Sequence, residues 1–197
     1  MKKLKIPRRE AIINSARDLI LEGGVQNVTI RNIAKKNDIT EGAIYKHFKS
    51  KKEILLGVVD AFGRELITVV DSMIGTGRDS ITILKDIMKK HMKFSEKKKG
   101  MLFSITAESI HFDDDEIRLA ILGIIEKYIK KIEDILKQAK KNKLINCEID
   151  VRSVSFIFFG MIQSAIVQYA LTNYKSTPVS KFNAMWKVFI EGIKKRQ

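Results

Sequence analysis

Apolar positions along the chain recur at spacings of three and four, the period of an α-helix rather than the alternation of a strand. From Arg9 to Gly23 the side chains of Ile12, Ile13, Ala16, Leu19 and Ile20 share one face, and Gly23-Gly24 supplies the stop. Thr29 stands where it can cap a second helix carrying Ile30, Ile33 and Ala34 and ending at Asn37-Asp38. Thr40 can cap a third, in which Ile44 and Phe48 point the same way. Ser50-Lys51-Lys52-Glu53 has the spacing of a capping box directly before Ile54-Leu55-Leu56. A longer helix is predicted from there, with Ile54, Val58, Phe62, Leu66, Val69 and Met73 in one stripe and Gly75-Thr76-Gly77 as its end.

Asp79 or Ser80 opens a further helix with Ile83, Ile87, His91 and Phe94 in register, closed by Lys97-Lys98-Lys99-Gly100, and a short segment from Met101 to Ile110 follows. Asp113-Asp114-Asp115-Glu116 lacks the alternation and central glycine of a calcium loop, so these acids are read as complementing the dipole of the next helix. That helix carries Ile117, Ile121, Ile124, Tyr128, Ile132, Ile135 and Ala139 and is the longest amphipathic one in the chain. No residue from Ser153 to Tyr174 is charged. Val154 to Leu171 reaches the length of a membrane span, but Gln163, Ser164 and Gln168 would lie near mid-bilayer. The segment is therefore expected to be a helix buried all round, by its own domain on one side and a second subunit on the other, with no membrane involved. Gly160 and Ser164 would let the partner helix approach closely. Thr177-Pro178 is expected to start a last helix with Phe182, Met185, Trp186, Phe189 and Ile193 as its stripe.

Composition agrees with an all-α protein. Only 2 Pro and 11 Gly occur in 197 residues, too few for the turns of a β-sandwich, and 45% hydrophobic residues argue against disorder. The lone Cys147 cannot form an internal disulfide, and the first residues lack the apolar stretch of a secretory signal, so a reducing, cytoplasmic setting is expected. Cys147 is given a packing role. The net charge of +14 calls for an acidic partner, and residues 1 to 55 hold half of it, with 13 basic and 6 acidic side chains. The basic clusters at Lys97 to Lys99 and Lys140 to Lys143 are read as solvated helix ends.

The sequence from Thr29 to Lys51, T-I-R-N-I-A-K-K-N-D-I-T-E-G-A-I-Y-K-H-F-K-S-K, fits two short helices joined by a tight turn. In a helix-turn-helix the second helix lies in the major groove of DNA. Ile33, Ala34, Ile39, Ile44 and Phe48 would fix the interhelical angle. Thr40, Gly42, Ala43, Tyr45, Lys46 and His47 would then face outward. Small residues at Gly42 and Ala43 permit close approach, hydroxyls of Thr40 and Tyr45 suit phosphate, and Lys46, His47 and Lys51 can donate to phosphate or base edges.

This stretch resembles the DNA-binding signature of the TetR family of transcriptional regulators. The resemblance implies that Thr29 caps the second helix and touches phosphate and that Arg31 reaches a base or phosphate. It also implies that Thr40, Gly42, Ala43 and Lys46 meet the groove, that Tyr45 and His47 hold the backbone, and that Lys51 anchors the start of the fourth helix. Two positions depart from the pattern. Asn37-Asp38 replaces Ala-Gly in the turn, where Asp tolerates the left-handed conformation. Glu41 is acidic at the groove-facing end, where it either reads a cytosine amine or repels DNA locally.

The implied architecture is all-α, with a helix-turn-helix domain over residues 1–52 and a larger helical ligand-binding and dimerisation domain over 53–197. A homodimer would bind a palindromic double-stranded operator, and a small hydrophobic or amphipathic effector would release it, with no cofactor. The effector is expected among Phe62, Met88, His91, Met92, Phe103, Tyr128 and Gln163, unless these are ordinary core residues. The dimer contact is expected at Phe156, Gly160, Ser164, Val167, Phe182, Trp186 and Phe189. His91 and His111 have no partners spaced as metal ligands. No nucleophile or acid-base pair has the spacing of an enzyme's site. The rival reading is an architectural DNA-binding protein of the same fold without a ligand.

Overall fold

The computed structural model describes residues 7–111 and 114–195. Among them are nine α-helices: α1 Arg8–Gly23, α2 Ile30–Asn37, α3 Glu41–Tyr45, α4 Lys51–Asp71, α5 Ser80–Lys97, α6 Met101–His111, α7 Asp115–Lys141, α8 Val151–Leu171 and α9 Phe182–Ile193. Short 3-10 turns cover Val25–Asn27 and Pro178–Lys181. The chain divides into two compact units, Met1–Gly63 with Met101–Ile121, and Arg64–Gly100 with Leu122–Gln197. The long helices α4 and α7 therefore contribute residues to both units. The division expected at residue 52 falls in the first turn of α4, and the compact units group the first half of α4 with the N-terminal helices.

Helix starts follow the capping chemistry. Asp79 accepts the N–H groups of Ile81 and Thr82 at the head of α5, and Asp150 those of Arg152 and Ser153 at the head of α8. Asp114 accepts the N–H of Ile117 at 3.2 Å, so the described part of the acidic run serves the start of α7; Asp113 lies outside the described residues. Two expected boundaries shift. The segment from Pro178 to Lys181 is a 3-10 turn, and α9 starts only at Phe182, because Thr177 makes no side-chain cap there. Helix α3 stops at Tyr45, so Phe48 lies beyond the helix, yet it is buried all the same. Cys147 is exposed in the connection after α7 and has no packing role.

In the second unit α5 packs against α8 and α9. Leu84, Ile87, Met88, Met92, Ile132, Leu136, Phe158 and Ile162 make its core. Helix α8 is long and apolar enough to cross a membrane by length and composition. In the single chain one side of it is buried: Phe158, Phe159, Ile162, Ala165, Ile166 and Tyr169 face inward, while Phe156, Ile157, Gly160 and Leu171 stay exposed on the side expected to meet a second subunit. Tyr128 and His91 form the one polar pair described deep in this core, with His91 Nδ1 3.0 Å from the Tyr128 hydroxyl and both rings against Phe159.

Burial pushes the His91 imidazole from its ordinary 6.5 down to about 3 and the Tyr128 hydroxyl well above the usual phenol range. Below about pH 6.5 the unfolded chain takes a proton at His91 that the folded chain refuses, so this contribution to stability is present above that pH and is lost as pH falls toward 3. In urea titrations the loss of stability between about pH 6.5 and 5, above the carboxylate range, is expected to become shallower in His91→Leu. Tyr128→Phe, which leaves the imidazole without its partner, is expected to lower stability by about 1–3 kcal/mol.

Candidate nucleic-acid interface

Helix α2 begins at Thr29, whose hydroxyl accepts the N–H of Asn32 at 3.0 Å from extended backbone. Asn32 in turn donates its side-chain amide to the carbonyl of Asn27 at 2.9 Å, fixing the entry of the chain from the preceding 3-10 turn. At the other end, Asn37 donates to the carbonyl of Ile33. Asp38 adopts the left-handed conformation, φ 51° and ψ 52°, and its N–H and that of Ile39 satisfy the last carbonyls of the helix. This is the turn that a glycine would make with less strain, and Asp38 makes it here. Thr40 then caps α3 by accepting the N–H of Ala43 at 3.2 Å.

The two short helices close on Ile33, Ala34, Ile44 and Phe48, all buried, with Ile39 half-buried. Opposite that core, Thr29, Arg31, Thr40, Gly42, Tyr45, Lys46 and His47 are exposed, and Ala43 and Lys51 are half-buried. Tyr45 keeps 54% of its surface open, unusual for an aromatic side chain. A Cβ added at Gly42 would meet nothing nearer than the Thr40 hydroxyl at 3.9 Å, and Gly42 is helical. Among the described residues, neither packing nor backbone conformation calls for glycine there. Glu41 is exposed in the first turn of α3, and Lys36 is paired with Glu22 at 2.6 Å on the far side of the head.

The head is held to α4 by groups that sequence spacing only half revealed. Glu53 receives the expected capping bond as its N–H donates to Ser50 Oγ, and its carboxylate accepts the N–H of Lys49 at 2.7 Å. The Lys49 amide and then the Arg9 guanidinium hold the Glu53 carboxyl below its ordinary range. Arg9 lies 4.2 Å over the Phe48 ring and donates to the His47 carbonyl at 2.8 Å and to Glu53 at 3.2 Å. One side chain from α1 thus clasps the segment just after α3 and the start of α4. Nothing in the spacing of Arg9 signalled this, because its partners lie some forty residues away.

The residues expected around an effector separate. Phe62 and Phe103 belong to the first unit, and Met88, His91, Met92, Tyr128 and Gln163 to the second, where all but Gln163 are buried. The expected dimer residues separate as well. Phe156 is 66% exposed, Gly160 and Ser164 are exposed, and Val167 and Trp186 are half-buried. Phe182 and Phe189 are buried within their own chain, and Phe189 packs edge-on against Phe158. The outer stripe of α9 is Ala184, Val188 and Gly192, four apart, with Val188 69% exposed. Helical phase explains the change: α9 buries the aromatic face that the sequence pattern assigned to a partner.

A capped helix, a left-handed turn and a second capped helix with an open outer face define a helix-turn-helix DNA-binding protein. Residues 12–58 match the model of bacterial regulatory proteins of the tetR family, and residues 78–194 match that of the tetracyclin repressor-like C-terminal domain. The chain belongs to the TetR family and is a DNA-binding regulator. It is 20% identical to the nucleoid occlusion factor SlmA of Vibrio cholerae over 191 residues, covering 96% of this chain and 97% of that protein. Among solved structures it resembles the fatty acid degradation regulator FadR from Bacillus halodurans, with TM-score 0.80, 22% identity, and coverage of 98% of this chain and 100% of that one. It also resembles FadR from Bacillus subtilis in complex with stearoyl-CoA, with TM-score 0.77, 22% identity, and coverage of 94% and 100%.

Arg9→Ala is expected to lower the melting temperature of the protein by a few degrees, in line with loss of a cation–π contact and two hydrogen bonds worth about 1 kcal/mol net, and to weaken duplex binding by loosening the hold on the segment after α3. Thermal melts and fluorescence anisotropy on one labelled duplex check both effects.

Proposed function

We propose that the protein is a repressor that binds a palindromic operator as a homodimer and is released by a small hydrophobic or amphipathic effector. The observation that carries the reading is the outer face of α3: exposed Tyr45, Lys46 and His47 beside a Gly42 that nothing inside the chain requires. In this reading α3 enters the major groove, and Gly42 and Ala43 allow its backbone close to the bases. Thr29, Thr40, Tyr45, His47 and Lys51 hold phosphate, while Arg31 and Lys46 reach base edges or phosphate. The rigid caps at Thr29 and Thr40 support it, since they fix both helix starts before DNA arrives.

Dimerisation is proposed at the open faces of α8 and α9, through Phe156, Gly160, Ser164, Val167 and Trp186, joined by Ala184, Val188 and Gly192. Built Cβ atoms at Gly160 and Gly192 meet nothing within 4 Å, so a partner helix has room to come close at both. A two-fold axis there would set the two α3 helices about one turn of DNA apart or a little more. For the effector, Met88, His91, Met92, Tyr128 and Gln163 of the second unit are the proposed surroundings, and the relative solved with stearoyl-CoA supports an acyl-type molecule. Effector and operator would then oppose each other by linkage, each favouring a different conformation. The second reading, an architectural DNA-binding protein without a ligand, is supported by the complete burial of Met88, Met92 and Tyr128 and by the similarity to a nucleoid occlusion factor. Mobility shifts with DNA from upstream of its own gene separate the two: release by small-molecule extracts or acyl-CoA favours the repressor, and indifference to all of them favours the architectural protein.

Tyr45→Ala and Lys51→Ala are expected to weaken binding alike across sequences, with Lys51→Ala lowering the slope of log affinity against log salt by about 1. Lys46→Ala and Arg31→Ala are expected to change the preferred sequence, read by selection from a random duplex library. Val188→Asp should convert the dimer to monomer in sedimentation and reduce operator affinity at least about tenfold, since one head keeps only half of the contacts.

A further inference from the structure

Within the first unit lies a cleft of about 280 Å³ whose lining includes, of the proposed DNA-contacting residues, Lys51 alone. Its floor is apolar, made by Val25 of the 3-10 turn, Leu55 of α4, Ile105 of α6 and Ile117 of α7. Three of the polar groups on its wall have partners inside the chain. The Lys52 ammonium lies 2.9 Å from Glu116, Asp114 accepts the N–H of Ile117, and Ser109 donates to the carbonyl of Thr106. Two do not: among the described residues, the side chains of Lys51 and Glu108 line the same cleft, half-buried, without an ion pair to each other or to anything else.

An unpaired ammonium and an unpaired carboxylate over an apolar floor define the complement of what would fill the space. We propose that the cleft binds a small zwitterion with an apolar body, an amino acid with a branched or aromatic side chain, its carboxylate on Lys51 and its ammonium on Glu108. A simple carboxylic acid would satisfy Lys51 and leave Glu108 facing a second anion; a simple amine would do the reverse. A calcium-like cation would need more oxygen ligands than the wall supplies. An acyl-CoA is too large for this volume.

Lys51 is also the first residue of α4 and the proposed phosphate anchor. The second half of the inference rests on that reading: an ammonium held by the ligand's carboxylate no longer neutralises a phosphate, so zwitterion and DNA weaken each other's binding. The cleft would then be an inhibitory site inside the DNA-reading unit itself, separate from an effector in the larger domain.

Titration calorimetry of the full chain without DNA tests the site, using leucine, isoleucine, valine and phenylalanine beside the half-ligands 4-methylpentanoate and isopentylamine. At least one amino acid is expected to bind saturably, and both half-ligands at least about tenfold more weakly, as for loss of a charge-assisted hydrogen bond. Glu108→Gln should weaken the amino acid by a similar factor while leaving DNA affinity in its absence unchanged. Ile105→Trp, which fills the floor, should abolish binding in a protein whose circular dichroism and melting remain cooperative. If none of the four amino acids binds, or if binding ignores Glu108→Gln, the site is wrong. With DNA present, the bound amino acid should lower the salt slope by about 1 in the parent and not in Glu108→Gln. An unchanged slope in the parent overturns the coupling, and a Lys51→Ala variant with the parental slope in the absence of ligand shows that the phosphate assignment of Lys51, rather than the cleft, is what failed.

Discussion

The first unit depends on the burial of Phe48. This ring follows α3 by only a few residues, is 1% exposed, and is covered by the Arg9 guanidinium from α1. Beside it, a Cβ built at Gly57 of α4 would come within 2.9 Å of Ile13 of α1 and 3.8 Å of the Phe48 ring. Glycine at that point lets α1 and α4 close, and their closure leaves α3 no freedom to swing. Burying a ring of this size contributes about 1.5–3 kcal/mol. Its larger effect is geometric: the orientation of α3 is set from the hydrophobic side, so the opposite side can be given over to Gly42, Tyr45, Lys46 and His47 without any of them being needed for the fold.

That division of labour explains how five residues of helix could serve as the proposed reading element. A helix as short as Glu41–Tyr45 has little stability of its own. The Thr40 cap, the N–H groups of His47 and Phe48 on the Ile44 carbonyl, and the Arg9 bond to the His47 carbonyl close both of its ends. Basic charge brings the head to a polyanion but does not aim it. Orientation comes from neutral packing and from hydrogen bonds that are complete before DNA is met.

Much of this was legible in the sequence because it rests on local rules. Caps at Thr29, Thr40 and Asp79 and the left-handed turn at Asp38 are each decided within four residues and take the expected form, and the S-x-x-E box at Ser50 forms its Ser50 half while Glu53 turns to the Lys49 N–H. What was not legible depends on which way a helix turns or on partners far along the chain. Periodicity finds the aromatic stripe of α9, but it does not say whether Phe182 and Phe189 face their own core or another subunit; packing against α5 and α8 decides that. The same limit applies to Phe62 and Phe103, which share a hydrophobic pattern with Met88 and Tyr128 but belong to a different compact unit. Arg9, placed over Phe48 by tertiary structure alone, left no trace in spacing.

The central claim is that a single face, formed by Thr29, Arg31, Thr40, Gly42, Ala43, Tyr45, Lys46, His47 and Lys51, meets duplex DNA. Backbone amide chemical shifts of the isotopically labelled protein, recorded during titration with a short duplex at low salt, test it residue by residue. The account expects the largest changes at Thr29, Arg31, the α3 amides and Lys51, with residues 64–100 and 122–195 little affected. Changes centred instead on the basic stretch Lys97 to Lys99, or on Lys140 to Lys143, with α3 unmoved, would contradict it.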